Sequence, residues 1–569
     1  MTHVFNDPAV FTEESLEGLV SVHGGLLRRV VGGVVSRASR ADGRVAVVVG
    51  GGSGHYPMFP GLVGQGLADG AVVGNIFTSP SAQYAYSVAK RADRGAGVVF
   101  CYGNYAGDVM NFGIAVERLR AEGIPAASVI VTDDVLSAPP DEAAKRRGLA
   151  GDFVVLRALA GAAAAGKPFA DVVAAGERAN RATRTVGVAF DGCTFPGADH
   201  RLFDVPPGVM SIGLGVHGEP GLEDIAAVPS RALARLLLGH LLGDEPDGVG
   251  GRVAVIVNGL GATKAEELFV LWRDLVPLLA EAGLEPVEPE VGEIITSLDM
   301  AGLSLTLSRL DAELEEYWTA PAYGPGYRKG AVGVIAGQGG DEEVDASHTI
   351  QVPPATPASR EVAAHATAGF TAALEEIRSA EGLLADTDAV AGDGDHGRGM
   401  VRGLEAAAGA ARAAHSAGAG LGTTIARAGE AWAEHAGGTS GVLWGAALRA
   451  FGARLGDEVV PVTADIVAAA EDFAAAVRSL GRVQLGDKTM LDAIDPAVRA
   501  LATADLEGLP LPVAVHRAAE AADAAARDTA RLTPKVGRAR PLAERSLGHP
   551  DPGAMSFAMI VRRLAGAQG

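Results

Sequence analysis

The chain has 569 residues, 48% of them hydrophobic and 21% charged, which fits a folded multidomain enzyme and excludes a disordered or fibrous chain. Its net charge of −21 argues against a nucleic-acid partner, because a phosphate backbone selects a basic surface. Two cysteines, Cys101 and Cys193, allow at most one disulfide, and no apolar run of about eighteen residues free of charge or glycine predicts a membrane span.

The N-terminal stretch MTHVFNDPAVFTEESLEG is acidic and broken by Pro8, unlike a signal peptide, so a cytoplasmic location is expected. From about residue 20 to 330, apolar runs alternate with helical periods. RVAVVVGGG (44–52), GAGVVFCYGN (95–104), AASVIVTDD (126–134) and RVAVIVNGLG (252–261) read as buried strands, with FGIAVERLRAEG (112–123) and ALARLLLGHLLG (232–243) as helices. Such alternation predicts parallel sheets covered by helices, with ligands bound beyond the carboxyl ends of the strands. Three glycine-rich turns follow apolar runs there: 50-GGGSGHYPMFPG-61 with His55, 104-NYAGDVMNFG-113 with Asp108, and 211-SIGLGVHGEPG-221 with His217. Each histidine taken alone is more often a structural residue; two histidines and an aspartate at strand ends together point to a polar small-molecule pocket.

Residues 331–357, rich in Gly, Asp, Pro and Ser, read as a linker between a domain at 1–330 and a second at 358–569. Beyond it, alanine and leucine in helical spacing predict an all-helical domain. Its most informative segment is 388-DAVAGDGDHGRGM-400, where Asp388, Asp393 and Asp395 fall within eight positions ahead of a helix beginning near Arg398. Carboxylates suit hard cations such as Mg²⁺, and a helix N-terminus offers N–H groups to an anion. A nucleoside triphosphate is the ligand expected of that combination, the plain alternative being a solvated acidic turn.

Nine segments in order resemble the ATP-dependent dihydroxyacetone kinase family: GGGSGH (50–55), NYAGDVMNF (104–112), VTDDV (131–135), GLGVHGEPG (213–221), NGLGAT (258–263), TSLDMAGLSLTL (296–307), GDGDHG (392–397), GDKTMLDA (486–493) and ERSLGHPDPGAMS (544–556). The resemblance implies an α/β ketose-binding domain of two subdomains followed by an all-α helical-barrel domain that binds ATP and Mg²⁺, and a homodimer is expected. It implies that His217 holds the substrate carbonyl as a covalent hemiaminal and that Asp108 takes the proton of the reacting hydroxyl. His55 would hydrogen-bond the substrate above a floor of Gly52, Ser53 and Gly54. Asp388, Asp393 and Asp395 match the two-Mg²⁺ aspartates. His396, Gly397, Arg398, Gly399, Thr439 and Ser440 match phosphate-binding positions. Gly481, Met490, Arg538, Asp551, Pro552 and Gly553 match positions near the nucleotide. Without the resemblance, Met490 and the Thr439 loop read as helix packing.

Two departures from the family pattern bear on substrate. Tyr56 stands where Glu is common, and Gly103 where Lys is common five residues before the catalytic aspartate. The expectation is a paired loss of charge with space opened by glycine, as in the branch that phosphorylates erythrulose, a four-carbon ketose. Dihydroxyacetone or glyceraldehyde as substrate, a non-catalytic ketose sensor, and a nucleotide-splitting lyase confined to the helical domain are the competing readings.

Overall fold

The structure is a computed structural model that describes residues 2–38, 42–219, 221–244, 250–331, 352–392, 394–536 and 543–566. The chain divides into two compact units, Met1–Val344 and Asp345–Gly569. The expected linker at 331–357 falls largely on residues 332–351, outside the described residues, as do Asp393 and Arg538.

Six strands of the first unit, β1 (Leu27–Val30), β2 (Gly33–Ser36), β3 (Ala46–Ser53), β4 (Gly70–Ile76), β5 (Val98–Gly103) and β6 (Ala126–Val131), form one sheet in the order β1-β2-β4-β3-β5-β6. Seven more, β7 (Thr183–Asp191), β8 (Val209–Ile212), β9 (Glu223–Ala226), β10 (Arg252–Gly259), β11 (Glu285–Pro286), β12 (Glu290–Gly292) and β13 (Ala301–Arg309), form a second. The helices are α1 (Phe11–Val22), α2 (Ala82–Ala92), α3 (Ala106–Ala121), α4 (Gly151–Ala164), α5 (Phe169–Ala182), α6 (Ser230–Gly243), α7 (Ala265–Glu281) and α8 (Ala312–Thr319).

α4 reads FVVLRALAGAAA and is buried almost all round, as a helix sandwiched between apolar layers must be. It shares one core with α5, α8 and the inner residues Val47 and Val49 of β3 and Ala254 and Ile256 of β10. α2 and α3 cover the other face of the first sheet, and α6 and α7 that of the second.

Only part of the expected parallel arrangement is present. β4, β3, β5 and β6 run parallel, whereas β10–β13, β13–β7, β7–β8 and β8–β9 pair antiparallel. An apolar run in a sheet covered on both faces looks the same in either direction, so hydropathy alone does not reveal strand polarity.

The second unit contains α9 (Pro357–Ser379), α10 (Glu381–Ala389), α11 (His396–Ser416), α12 (Leu421–Ala436), α13 (Gly438–Leu455), α14 (Thr463–Gly481), α15 (Leu491–Leu506), α16 (Leu511–Asp528), α17 (Ala543–Ser546) and α18 (Pro552–Gly566). Thr356 caps α9 with Pro357 at its first position, a favourable helix start. Successive neighbours α9, α11, α12, α13, α14, α15, α16 and α18 pack in a ring that closes from α18 back onto α9. Alanines such as Ala407, Ala411, Ala428, Ala447, Ala518 and Ala522 are buried at these seams, where small side chains let helices approach closely. Among the described residues no helix is long and apolar enough to cross a membrane, and both cysteines are free and buried.

Candidate active site

The first unit brings His55 and His217 into contact although 162 residues separate them, with Nε2 of one 3.0 Å from Nε2 of the other. His55 lies just past β3. Gly54 has φ +100°, and a Cβ there would press on the Phe77 ring at 2.8 Å; a Cβ at Gly52 would meet the Thr78 nitrogen at 2.7 Å. Glycine at these two positions lets the turn settle against Phe77 and aim the imidazole. Ser53 donates its hydroxyl to the Gly74 carbonyl at 2.6 Å, so its side chain is committed to β4.

His55 Nδ1 lies 2.7 Å from the Thr296 carbonyl, which only accepts, so this nitrogen carries the proton. Burial, helped by His217, lowers the His55 pKa from 6.5 to about 3, which keeps the ring neutral and its Nε2 an acceptor. Asn258 fixes the Thr296 segment by accepting from the Ile294 and Ile295 N–H groups and donating to the Ile295 carbonyl. His55 stacks on Phe77 at 5.0 Å, and Phe77 and Tyr105 meet the His217 ring edge-on at 5.1 and 4.8 Å.

His217 sits in a loop after β8 that closes on itself through the Gly215 N–H donating to the Glu219 carbonyl at 2.9 Å. Glu219 accepts twice from His217, from the backbone N–H at 3.0 Å and from the ring at Nδ1, 2.9 Å away. Behind it, buried Arg147 approaches the Glu219 carboxylate at 3.9 Å and donates to Asp134 and to the Gly213 carbonyl, each at 2.9 Å. Burial alone would lower the Arg147 pKa, but the Asp134 and Glu219 carboxylates hold it above its usual value.

Asp108 is buried in the first turn of α3, where the helix dipole favours a carboxylate. Tyr105 is the N-cap residue of that helix, so the segment bearing Asp108 starts against the His217 ring. Asp152, buried nearby on α4, has its pKa driven well up by burial, with Asp133 and Asp108 adding to the effect.

The two departures, Tyr56 and Gly103, sit in different immediate surroundings. Tyr56 is 46% exposed and lies where Cβ atoms on Gly61 and Gly326 would touch its ring and hydroxyl, at 2.9 and 3.2 Å. A Cβ at Gly103 would meet the Tyr105 ring at 3.0 Å and Gly148 Cα at 3.3 Å. Tyr105, whose hydroxyl donates to the Gly148 carbonyl at 3.0 Å, fills the volume that glycine leaves. The two positions have different neighbours, and the expected open space is occupied by an aromatic ring.

The second unit gathers a different chemistry. The N-termini of α11, α15 and α18 meet: His396 Nε2 is 3.0 Å from Ser556 Oγ, and a Cβ on Gly553 would lie 3.3 Å from that of Met490. A Cβ on Gly399 would lie 3.6 Å from the Ala436 carbonyl, which places the turn into α13, with Thr439 and Ser440, beside α11. Helix N-termini that converge in this way favour phosphate oxygens. Asp551 caps α18 by accepting from the Ala554 N–H at 2.7 Å, and Asp388 accepts from the His396 N–H at 3.3 Å. Gly481 ends α14, and a Cβ there would touch Leu443 and Val483 at 3.4 Å, a packing position.

Asp388 stands close enough to disturb both Asp395 and Asp551, and Asp492 also acts on Asp551. Burial, then Asp388, raises the Asp395 pKa to about 6. Burial raises that of Asp551 to about 7 against the Ala554 N–H, with Asp388 and Asp492 adding to the rise. Among the described residues no three ligating side chains already stand in metal-gripping geometry. The donor chemistry nevertheless fits a hard cation, since buried carboxylates that repel one another are relieved by a divalent charge whose remaining ligands come from phosphate and water.

Several contributors were not predicted. Glu219, Asp134, Tyr105 and Thr296 lie inside recognisable segments, GLGVHGEPG, VTDDV, NYAGDVMNF and TSLDMAGLSLTL, whereas Arg147 carries no pattern that marks it.

Residues 17–326 match the Dak1 domain model and residues 390–566 the DAK2 domain model. The chain is 53% identical over 569 residues to D-erythrulose kinase of Mycolicibacterium smegmatis, covering 99% of this chain and 98% of that one. It is 50% identical to L-erythrulose kinase of Pectobacterium atrosepticum, covering 99% and 95%. Among solved structures, the dihydroxyacetone kinase of C. freundii in its native form aligns at TM-score 0.54 with 27% identity, covering 100% and 99% of the two chains. The same enzyme in complex with AMP-PNP and Mg²⁺ aligns at 0.53. The chain belongs to the dihydroxyacetone kinase family, in the fused form that joins a Dak1 to a DAK2 domain.

Proposed function

We propose that the protein is a kinase that transfers a phosphoryl group from ATP to a terminal hydroxyl of erythrulose. The observation that carries this reading is the imidazole pair: His217 Nε2 faces His55 Nε2 at 3.0 Å inside a box of Phe77 and Tyr105, with Glu219 held against the far nitrogen. A nucleophilic nitrogen flanked by two aromatic rings suits a carbonyl carbon. A polyol, which has none, cannot be captured there.

His217 Nε2 forms the C–N bond while the carbonyl π pair moves to oxygen, which takes a proton from solvent. The positive charge left on the ring is met by Glu219. Asp108, at the start of α3, receives the proton of the terminal hydroxyl as it attacks. In the second unit Asp388, Asp395 and Asp551, with Asp393, would hold Mg²⁺, and the N-termini of α11, α13, α15 and α18 would hold the phosphates. A bound Mg²⁺–ATP supplies the phosphoryl group and neutralises charge developing on it. The likeness to two erythrulose kinases at 50% and 53% identity supports the four-carbon substrate.

The test is kcat/KM from ADP release for both erythrulose enantiomers and dihydroxyacetone, with product positions assigned by NMR. One erythrulose enantiomer is expected to exceed dihydroxyacetone at least about tenfold, roughly 1.4 kcal/mol in transition-state binding. Dihydroxyacetone favoured by the same margin would overturn the substrate.

A further inference from the structure

The hydrogen-bond donors and acceptors around the two imidazoles are unequal in number. His55 must keep its proton on Nδ1, because that nitrogen faces the Thr296 carbonyl at 2.7 Å. Its Nε2 is therefore an acceptor. His217 Nδ1 faces a Glu219 carboxylate oxygen at 2.9 Å, and a carboxylate likewise only accepts. With one proton on each ring, both protons point outward and two lone pairs face each other across 3.0 Å. The contact would gain a hydrogen bond if the His217 proton moved to Nε2, but Nδ1 would then present a lone pair to the carboxylate.

We propose that Glu219 is a positioning residue that selects the His217 tautomer, holding the proton on Nδ1 so that the Nε2 lone pair stays available to the ketose carbonyl. This inference rests on the ketose-kinase reading above. Glu219 is built for the task. Its second oxygen is fixed by the His217 backbone N–H at 3.0 Å, and the Arg147 guanidinium, itself on Asp134, stands 3.9 Å behind it. The carboxylate is therefore held in place on both of its oxygens. With its proton on Nδ1, His55 presents an acceptor, not a donor, to the His217 lone pair. The carbonyl carbon is then the electrophile that relieves the facing pair.

Glu219→Gln separates this role from a structural one. In the variant the backbone N–H of His217 can only donate, so the amide oxygen must turn toward it. The amide NH₂ then faces Nδ1, makes that nitrogen an acceptor and drives the proton to Nε2, where it is donated to His55. Every hydrogen bond is satisfied in a ring that cannot attack. A wrongly held histidine tautomer costs on the order of 10⁴-fold in a catalytic triad. E219Q is accordingly expected to melt at or above the wild-type temperature and to keep its nucleotide KM. Its kcat/KM for erythrulose should fall at least about 100-fold, to or below the value of E219A. It should also lack the sp³ signal of bound [2-¹³C]ketose. A purely structural Glu219 predicts the reverse order, with the isosteric glutamine mild and alanine severe. E219Q within tenfold of wild type, or showing the sp³ signal, overturns the tautomer role while leaving the kinase reading intact. No sp³ signal in the wild-type protein overturns the ketose reading and this inference together.

Discussion

The histidine pocket of the first unit and the converging helix N-termini of the second are held together by different means. In the first, side chains are tied to fixed partners: His55 to Thr296, Glu219 to His217, Arg147 to Asp134. In the second, carboxylates and helix N-termini are assembled together, and burial pushes Asp395 and Asp551 up to about 6 and 7 despite Arg402 and Arg398 near the first and Lys488 near the second. A site that performs covalent recognition must hold its nucleophile rigidly. One that binds a metal–phosphate complex can leave part of its charge balance to the ligand.

The largest effect that would break this contrast is loss of a carboxylate proposed to hold the metal. Asp395→Asn should lower kcat about 10³-fold or more, because a metal ion contributes several kcal/mol of charge stabilisation to phosphoryl transfer. Ketose binding, followed by ¹³C NMR, should not change. More than about a tenth of wild-type kcat would remove Asp395 from metal binding.

His217→Ala should lower kcat/KM about 100-fold or more, since holding the carbonyl is an orientational effect, while the KM for nucleotide stays as it was. Steady-state kinetics with both substrates varied checks it.

The pH dependence of stability sharpens the contrast. The His55 pKa falls from 6.5 to about 3 on folding, mainly through burial, so unfolded chains take up this proton at a higher pH than folded ones. Its contribution is fully present above pH 6.5 and is lost as pH falls from there toward 3. Melting temperature should therefore decline through this window, and less steeply in His55→Asn. Parallel slopes would show that His55 is not held neutral.

Much of the ketose pocket was legible because its functional groups stand on glycine-rich turns after strands, where a close approach dictates residue type. His55, Asp108 and His217 could be named from that alone with the family pattern. A partner that acts through its charge from outside these segments, such as Arg147, leaves no such mark, and the carbonyl role of Thr296 does not follow from its side chain even though it opens a recognisable segment. Strand polarity in the second sheet was hidden for a similar reason, since burial of Val253, Val255 and Val257 requires apolar residues in either direction. From the family pattern, the charges lost at Tyr56 and Gly103 suggest a coupled pair with space opened beside the glycine. The fold instead seats Tyr105 beside Gly103 and leaves Tyr56 half-exposed.

The smallest expected effect follows from that correction. Tyr56→Glu places a charge at a half-exposed position and should change stability by no more than about 0.5 kcal/mol. Gly103→Lys must displace the Tyr105 ring and should be the more damaging. With separate neighbours, the two changes should add within about 0.5 kcal/mol in a double-mutant cycle of kcat/KM and melting temperature. A double variant that recovers what Gly103→Lys loses would restore the coupled pair.

The division of labour between the two units is tested most directly by the ¹³C spectrum of [2-¹³C]erythrulose bound to nucleotide-free protein. The wild type and Asp395→Asn should both convert the sp² carbonyl signal to an sp³ signal, and His217→Ala should leave it sp². An sp³ signal that survives in His217→Ala, or disappears in Asp395→Asn, would contradict the account.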